Sequence, residues 1–357
     1  MTKICILATS LGKGGAEKSS ANLSVLLADL GYEVHVLITK NIVSYKYSGT
    51  LFSLESKLKK PKNEFKKVLL LKKYFTKNKF DFIIDNRPRS QFFKEFILYK
   101  YVFNNSNIIS IIHSYKTQNY MPTNKVLAHI LYKNIFKLVT VSKAIKTIIE
   151  RKYALNNVEC IYNAIDIPNI KKLIEINLPE NYILFYGRLE EKVKNLSLLI
   201  RGYKASNLKE KGVKLIVLGE GPDMDLIKNL INKLELSEDI ILKSFTPNPF
   251  PYVINAKFTV LTSRYEGFPM SIIESLACET PVISVDCKSG PKELIKHKEN
   301  GLLIENYNIK ALSNAMNLFV EDEKLYSFCK KNSKASISHL KKQKIGKQWK
   351  KTIDGYV

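Results

Sequence analysis

The chain has 357 residues, of which 45% are hydrophobic and 25% charged, and its formal net charge at pH 7 is +24. This composition is that of a folded protein and excludes disorder over most of the chain, whose length is enough for two domains. The five cysteines form neither a CxxC pair nor a Cys/His cluster, which disfavours a disulfide framework or a zinc site. No apolar run reaches the roughly 20 residues that span a membrane, and the N-terminal run is too short for a signal peptide, so a cytoplasmic location is expected.

Short apolar runs alternate with helical segments in the first half of the chain. A buried strand is predicted at residues 3–9, followed by a glycine-containing loop and an amphipathic helix at 16–30. Further strands are predicted at 34–39, 80–85, 108–112 and 138–141. This alternation predicts a parallel sheet built from βαβ units.

The same alternation starts again after Pro168, with strands predicted at 182–186, 214–218, 240–242, 258–261 and 281–285. It indicates a second Rossmann-like domain. We therefore predict an N-terminal domain over residues 1–165, a C-terminal domain over 166–335, and a final helical segment, 336–357, that packs back towards the first domain. The best boundary is the connector at residues 165–179.

The basic excess lies mainly in the first half, where residues 1–165 hold 27 Lys and Arg against 10 Asp and Glu. It is densest from Lys57 to Lys79, where ten lysines accompany one acid, Glu64. Such a surface could attract nucleic acid, anionic lipid or a diphosphate. A solvated lysine-rich face is the alternative.

Residues 266–274 read E-G-F-P-M-S-I-I-E and link the strand predicted at 258–261 to a helix. Open α/β sheets bind ligands at the carboxyl ends of their strands. A helix N-terminus offers unpaired N–H groups to an anion, and the carboxylates of Glu266 and Glu274 can accept hydrogen bonds from paired hydroxyls. The pattern suits a nucleotide sugar, although Glu266 could merely favour a helix N-terminus and Glu274 could lie on a solvated face.

Several motifs occur in the same order as in family 4 of the retaining GT-B glycosyltransferases, which this chain resembles. In the second half they are G-R-L at 187–189, K-N at 194–195, G-E-G-P at 219–222, the two glutamates of 266–274, P-V-I at 281–283 and S-G-P-K-E at 289–293. In the first half, G-G-A-E at 14–17, V-S-K-A at 141–144 and Y-N-A-I-D at 162–166 also match. The resemblance implies an α/β GT-B fold, with two Rossmann-like lobes facing each other across a cleft.

The resemblance also implies which residues bind the donor. Glu274 is expected to bind the ribose hydroxyls, and Glu266 with the amides of residues 268–271 the transferred sugar. Pro269 has no N–H, so one amide contact is missing here. The full set of expected donor-binding residues is Gly14, Gly15, Gly187, Gly219, Gly221, Gly267, Phe268, Pro269, Met270, Ser271 and Glu274.

Arg188 and Lys194 match the basic pair that holds the donor diphosphate in this family. A guanidinium and an ammonium neutralise the charge that grows on the leaving phosphate. The spacing is one residue longer than the common form, so Lys192 is a rival to Lys194, although Asn195 and the apolar residues after it favour Lys194.

Gly14 and Gly15 stand between the first strand and the first helix, where backbone amides can approach a phosphate or the acceptor closely. The loop lacks the full G-x-G-x-x-G pattern, which disfavours a dehydrogenase.

His113 follows the apolar run 108–112 and is expected to face the cleft, beside the donor sugar as in the family. A neutral imidazole there could hydrogen-bond a hydroxyl or the departing phosphate, and a purely structural histidine is the alternative. The string Asp223-Met224-Asp225 follows Pro222 in the predicted first turn of a helix, where acids complement the helix dipole. No metal or other cofactor is therefore expected.

Together these features predict a retaining glycosyltransferase that moves a hexose or N-acetylhexosamine from a nucleotide diphosphate sugar, with UDP favoured by S-G-P-K-E, to a lipid-linked saccharide. The predicted catalytic residues are His113, Arg188, Lys194 and Glu266. No side chain is an obvious covalent nucleophile, which favours a same-face mechanism. The basic domain predicts peripheral association with the anionic inner face of the cell membrane, in surface polysaccharide or glycan synthesis. The alternatives are a basic nucleic-acid-binding protein, for which no motif is present, and a non-catalytic nucleotide-sugar-binding subunit.

Overall fold

The computed structural model describes residues 1–58, 64–103, 106–165 and 177–355, and it divides into two compact units. Unit 1 comprises Met1–Ala164 and Lys342–Val357, and unit 2 comprises Ile165–Lys341. The division falls at residues 165 and 342. Most of the predicted connector, residues 166–176, lies outside the described residues.

The described residues of unit 1 contain seven strands: β1 (Lys3–Ala8), β2 (Glu33–Ile38), β3 (Thr50–Ser53), β4 (Phe82–Asp85), β5 (Asn107–Ile112), β6 (Lys137–Thr140) and β7 (Val158–Cys160). Its α-helices are α1 (Gly15–Asp29), α2 (Leu54–Lys57), α3 (Glu64–Asn78), α4 (Phe92–Ile97), α5 (Lys125–Tyr132), α6 (Lys143–Tyr153) and the last helix of the chain, α15 (Lys342–Asp354). A π-helical turn, Leu98–Val102, continues α4, and a 3-10 turn covers Thr117–Asn119.

The seven strands form one sheet in the order β3-β2-β1-β4-β5-β6-β7, and all neighbouring strands are parallel. The five strands predicted from apolar runs are confirmed, and β3 and β7 are additional short edge strands. Helix α6 begins at Lys143 because Ser142 Oγ accepts a hydrogen bond from the amide of Ile145 and so caps the helix.

In residues 177–341 of unit 2 the structure has six strands: β8 (Tyr182–Tyr186), β9 (Lys214–Leu218), β10 (Ile240–Lys243), β11 (Thr259–Leu261), β12 (Val282–Val285) and β13 (Gly301–Ile304). Its helices are α7 (Glu191–Lys194), α8 (Leu196–Lys204), α9 (Met224–Lys233), α10 (Phe250–Asn255), α11 (Met270–Ala277), α12 (Pro291–Leu294), α13 (Ile309–Glu321) and α14 (Glu323–Ser336). A 3-10 turn, Ser338–Leu340, follows α14.

The sheet of unit 2 has the order β10-β9-β8-β11-β12-β13 and is also entirely parallel. Strand β8 is buried on both faces, since Ile183 and Phe185 pack into one apolar cluster and Tyr182 and Leu184 into another. Burial on both faces explains why its sequence is a continuous apolar run rather than an alternating one. Each sheet therefore has the doubly wound arrangement predicted from sequence.

Within the described ranges, no helix combines the length and the apolar character needed to cross a lipid bilayer.

Candidate functional site

The loops that carry most of the predicted site residues meet at one edge of the sheet in unit 2. Strand β8 lies between β9 and β11, so the loop after β8 turns one way and the loop after β11 the other. Such a point of reversal opens a crevice at the carboxyl ends of the strands, where doubly wound sheets bind ligands. Residues 187–194 follow β8, residues 219–223 follow β9, and residues 262–271 follow β11.

Lys194 and Glu266 form an ion pair across this point of reversal. Lys194 Nζ lies 2.6 Å from Glu266 Oε1, and the hydroxyl of Ser263 also donates to Glu266 Oε1 at 2.6 Å. The two side chains keep 19% and 12% of their surface accessible, so the pair is within reach of a ligand. Lys192, on the same short helix, is exposed, and the structure brings Lys194 rather than Lys192 to Glu266.

The backbone of Lys194 is held by the loop after β11. Thr262 donates its hydroxyl to the carbonyl of Lys194 at 2.9 Å, and the amide of Arg264 donates to the carbonyl of Val193 at 2.8 Å. The Arg264 guanidinium then bonds Glu191 Oε1 at 3.1 Å and Asn195 Oδ1 at 2.9 Å. These bonds fix the short helix α7, and with it the position from which Lys194 projects.

Arg188, the other predicted diphosphate ligand, has a different environment. Its side chain is 64% exposed and lies 3.4 Å from Glu190 Oε2. Within the described residues, no hydrogen bond or ion pair joins Arg188 to Lys194. An exposed guanidinium on this loop has the freedom to turn towards a bound anion.

Two of the predicted glycines are required by the packing of neighbouring loops. A Cβ on Gly219, whose φ is +152°, would lie 1.9 Å from the carbonyl oxygen of Gly187, and one on Gly221 would lie 2.1 Å from that of Leu189. The loops after β8 and β9 are therefore in backbone contact, which the amide of Leu189 reinforces by donating to the carbonyl of Glu220. Gly187 itself has space, since a Cβ there would meet nothing closer than 3.9 Å.

Glu274 lies inside helix α11 and is 2% exposed. Next to it, Tyr186 donates its hydroxyl to the carbonyl of Ser271 at 2.6 Å. Burial, followed by the charge of Glu274, raises the pKa of Tyr186 well above its usual value, so the phenol stays protonated. The alternative of a solvated Glu274 is wrong, because the carboxylate is enclosed beside a neutral tyrosine.

The loop from Glu266 to Met270 is supported by the segment after β12. The Glu266 amide donates to the carbonyl of Lys288 at 3.1 Å, and Ser289 Oγ donates to the carbonyl of Gly267 at 2.8 Å. Gly290, at φ +97°, approaches Pro269 so closely that a Cβ would lie 2.4 Å from its Cδ. The S-G-P-K-E motif thus shapes the loop that holds Gly267, Phe268, Pro269, Met270 and Ser271. Phe268 and Met270 are buried.

Gly14, Gly15 and His113 belong to unit 1. The Gly14 amide donates to the hydroxyl of Tyr45 at 3.4 Å, and a Cβ on Gly15 would meet nothing within 4 Å. Packing within the chain therefore does not explain Gly15.

His113 follows β5 and is oriented by Asn86, which follows β4. His113 Nε2 lies 3.0 Å from Asn86 Oδ1, and Asn86 Nδ2 donates to Ser20 Oγ of helix α1 at 2.9 Å. Burial, with a smaller contribution from the charge of Arg89, lowers the pKa of His113 to about 3. The imidazole is therefore neutral at physiological pH, as predicted for a group that hydrogen-bonds a ligand.

A buried charged cluster beside His113 was not anticipated from the sequence. Arg87 bonds both carboxylate oxygens of Asp85, at 2.9 and 2.7 Å, and also Glu95 Oε2 at 2.9 Å. Arg89 donates to the carbonyls of Asp85, Arg87 and Ile111 at 2.7 to 2.8 Å, which joins the ends of β4 and β5. The two arginines hold the pKa of Asp85 below its usual value against its burial. The string R-P-R, which begins two residues after the end of β4, is the sequence signal that could have indicated this cluster.

The D-x-D string has a structural role. Asp223 Oδ2 accepts a hydrogen bond from the Glu191 amide at 2.7 Å and precedes helix α9 as its cap residue. In the part of the chain that the structure describes, no group of three or more His, Cys, Asp or Glu side chains is placed to hold a metal ion.

Two family models match the chain in succession. Residues 13–168 match Glycosyltransferase Family 4, and residues 166–336 match Glycosyl transferases group 1. An N-acetylgalactosamine-N,N'-diacetylbacillosaminyl-diphospho-undecaprenol 4-alpha-N-acetylgalactosaminyltransferase of Campylobacter jejuni is 32% identical over 99% of this chain and 100% of its own length. A poly(ribitol-phosphate) alpha-N-acetylglucosaminyltransferase of Staphylococcus aureus is 27% identical over 69% of this chain and 50% of its own.

Solved structures of glycosyltransferases share the fold. A variant of S. aureus TarM in complex with fondaparinux, alpha-GlcNAc-glycerol and UDP superposes with a TM-score of 0.82 at 17% identity, covering 99% of this chain and 100% of that chain. Anabaena HepE in complex with UDP and glucose gives 0.79 at 20% identity, covering 99% and 100%. The two Rossmann-like sheets are those of the GT-B fold, which confirms the predicted fold class.

Proposed function

Because this chain belongs to glycosyltransferase family 4 and is a glycosyltransferase, we propose that it transfers a hexose or N-acetylhexosamine from a nucleotide diphosphate sugar to a saccharide acceptor. The observation that carries the proposal is the Lys194–Glu266 pair at the point of strand reversal in unit 2, together with the buried Glu274 of helix α11. In this proposal Lys194 supplies a cation for the diphosphate, and the carboxylates accept hydrogen bonds from hydroxyls.

UDP is the proposed nucleotide. The S-G-P-K-E segment contacts the loop from Glu266 to Met270, and both TarM and HepE were solved in complex with UDP. In this proposal Glu274 accepts from the ribose hydroxyls, while Glu266 and the loop amides address the sugar. Incubation with a panel of nucleotide sugars, followed by measurement of released nucleotide, tests the donor. Release from GDP-sugars alone would refute the assignment of UDP.

Transfer with retention is also proposed. The sugar's bond to the leaving phosphate breaks while the acceptor hydroxyl attacks from the same face, and the departing phosphate oxygen takes the hydroxyl proton. Lys194 and Arg188 stabilise the negative charge on that phosphate. Two relatives are named for alpha linkages, which an alpha-linked donor would give by retention. Proton NMR of the product's anomeric signal decides the stereochemistry.

The proposed acceptor is a saccharide carried on a lipid diphosphate. The Campylobacter relative is named for such an acceptor and aligns over its full length. The basic unit 1 then gives a reason for peripheral association with the anionic inner face of the membrane, during surface polysaccharide or lipid-linked glycan synthesis. Transfer of labelled sugar to extracted lipid-linked acceptors is the direct measurement. Labelling of protein or nucleic acid instead would contradict it.

Metal-independent transfer is part of the proposal, because Asp223 of the D-x-D string already accepts a hydrogen bond from the Glu191 amide and stands at the N-cap position of α9. Turnover in excess EDTA should equal turnover with added Mg²⁺. Dependence on the added metal would show that the ion takes a share of the phosphate charge that we assign to Lys194 and Arg188. Measurable turnover also separates the enzyme from a non-catalytic subunit, and a gel shift at moderate salt tests the nucleic-acid alternative.

A further inference from the structure

Half of the large apolar side chains that are exposed in the described residues lie on three helical segments of unit 1. Fourteen such side chains are exposed, and seven of them are on α3, on α4 with its π-helical turn, and on α5. We call these seven the apolar face: Phe65, Leu69, Phe93, Ile97, Tyr101, Val126 and Ile130. Phe93 is 80% exposed and Phe65 71%, which core packing does not explain.

The members of the apolar face are neighbours. Within each segment they are four residues apart, a spacing that places side chains on one side of a helix. Helix α3 packs against the π-helical turn, and α4 packs against α5. Lys94 Nζ lies 3.4 Å from Glu64 Oε2, so an ion pair joins the starts of α3 and α4 directly beside Phe93 and Phe65.

Cations accompany the apolar face. Eight exposed lysines lie within residues 64–78, 92–103 and 125–133: Lys66, Lys72, Lys73, Lys77, Lys94, Lys100, Lys125 and Lys133. In residues 64–78, 92–103 and 125–133, which the structure describes, Glu64 is the only exposed acid, because Glu95 is buried against Arg87. The surface therefore combines contiguous apolar area with a strong positive charge.

We propose that the apolar face docks on an anionic lipid bilayer, with its side chains in the boundary between headgroups and acyl chains and its lysines against the lipid phosphates. Large apolar residues flanked by lysines are the pattern of interfacial membrane binding. A nucleic acid would use the lysines but leave the apolar side chains in water. This inference deepens the proposed function and rests on it, because an enzyme that uses a lipid-linked acceptor would meet that acceptor at the membrane surface.

The apolar contribution is tested by vesicle flotation of the full chain. The double variant Phe93→Ser, Ile97→Ser is compared with Leu226→Ser, Phe328→Ser, which removes two exposed apolar side chains from unit 2. We expect the wild type and the unit 2 variant to bind vesicles of phosphatidylcholine with phosphatidylglycerol equally. The unit 1 variant should bind at least about tenfold more weakly, equivalent to about 1.4 kcal/mol. Equal binding by all three proteins would overturn the proposal.

Insertion can be observed directly, because the chain has one tryptophan, Trp349, which is buried. In Phe93→Trp the new indole should shift its emission to the blue on addition of the same vesicles and be quenched by lipids that carry a quencher in the acyl chain. Phe328→Trp provides the matched control and should change in neither respect. A Phe93→Trp signal that vesicles leave unchanged would also overturn the proposal.

Self-association and nucleotide binding are measured separately from vesicle binding. Sedimentation at several protein concentrations tests whether the apolar face binds a second copy of the chain. Docking on lipid would be refuted if the wild type self-associates but does not bind vesicles, and if the double variant Phe93→Ser, Ile97→Ser abolishes the self-association. Calorimetry with UDP tests the proposed function independently. Vesicle binding without UDP binding would support the membrane-docking surface and refute the donor assignment. UDP binding without vesicle binding would support the donor assignment and refute the docking surface.

Discussion

Lys194 Nζ and Glu266 Oε1 are 2.6 Å apart, which joins the loop after β8 to the loop after β11. In the proposed reaction an incoming diphosphate competes with Glu266 for the ammonium group, and Glu266, which also accepts from Ser263, becomes available to a sugar hydroxyl. The pair therefore keeps both groups oriented before the donor arrives.

Lys194→Ala is expected to lower kcat/KM by about 100-fold or more, because the charge that stabilises the leaving phosphate is lost. The circular dichroism spectrum should stay that of the wild type, since Glu266 keeps its bond from Ser263. Lys192→Ala, on the same short helix but exposed, is the control and should be nearly as active as the wild type. If Lys192→Ala loses activity while Lys194→Ala keeps it, the role of stabilising the leaving phosphate belongs to Lys192 and not to Lys194.

Glu274→Gln should weaken binding of UDP by about 10- to 100-fold, measured by calorimetry. The variant keeps the shape of the side chain but loses charge-assisted acceptance, which contributes about 1.5–3 kcal/mol per bond. Glu279→Gln changes an exposed acid shortly after the same helix, one that pairs with Lys334, and should bind UDP normally. Unchanged affinity in Glu274→Gln would remove the ribose role from Glu274.

His113 predicts a specific pH dependence of stability. Its pKa is lowered from 6.5 to about 3 in the folded chain, so below pH 6.5 the unfolded chain binds a proton that the folded chain does not. This costs folding stability up to about 1.4 kcal/mol per pH unit between the two values, and nothing above pH 6.5. Denaturant titrations should show that the stability difference between wild type and His113→Asn shifts against the wild type as the pH falls through this window. A pH-independent difference for His113→Asn would contradict the low pKa.

Gly221→Ala and Gly15→Ala are expected to differ in stability. In the first, the new Cβ would lie 2.1 Å from the carbonyl oxygen of Leu189, and the forced movement should cost about 1–3 kcal/mol. In the second, nothing lies within 4 Å and the residue opens helix α1, so stability should equal or exceed that of the wild type. Thermal unfolding measures both. If Gly15→Ala is stable but slow in transfer, Gly15 serves the ligand rather than the fold, whereas full activity would remove it from the site.

Much of the fold could be predicted from the amino-acid sequence. Strand β8 was identified over its full extent because a strand buried on both faces needs an unbroken apolar run. Strands β3, β7 and β13, which lie at edges of the two sheets, were not identified. The spacing of Glu266 and Glu274 indicated a ligand-binding loop at the end of a strand, because such a loop is recognised from the types of its residues and their order along the chain.

Other features depended on contacts between distant parts of the chain. The sequence left Lys192 and Lys194 as rivals, and the structure brings Lys194 to Glu266 because Thr262 and Arg264 fix the turn that carries it. The clamp of Arg89 on the carbonyls of β4 and β5 was likewise absent from the sequence prediction.

The sequence by itself determined the two parallel sheets and the loops that carry the chemistry, because periodicity and short motifs are local properties. Only the tertiary structure decided which charges meet, that Glu274 is enclosed, and that seven apolar side chains share one basic surface. Those relationships arise when strand order and helix packing bring together segments that are far apart along the chain. A local sequence pattern does not predict which of these distant segments come into contact.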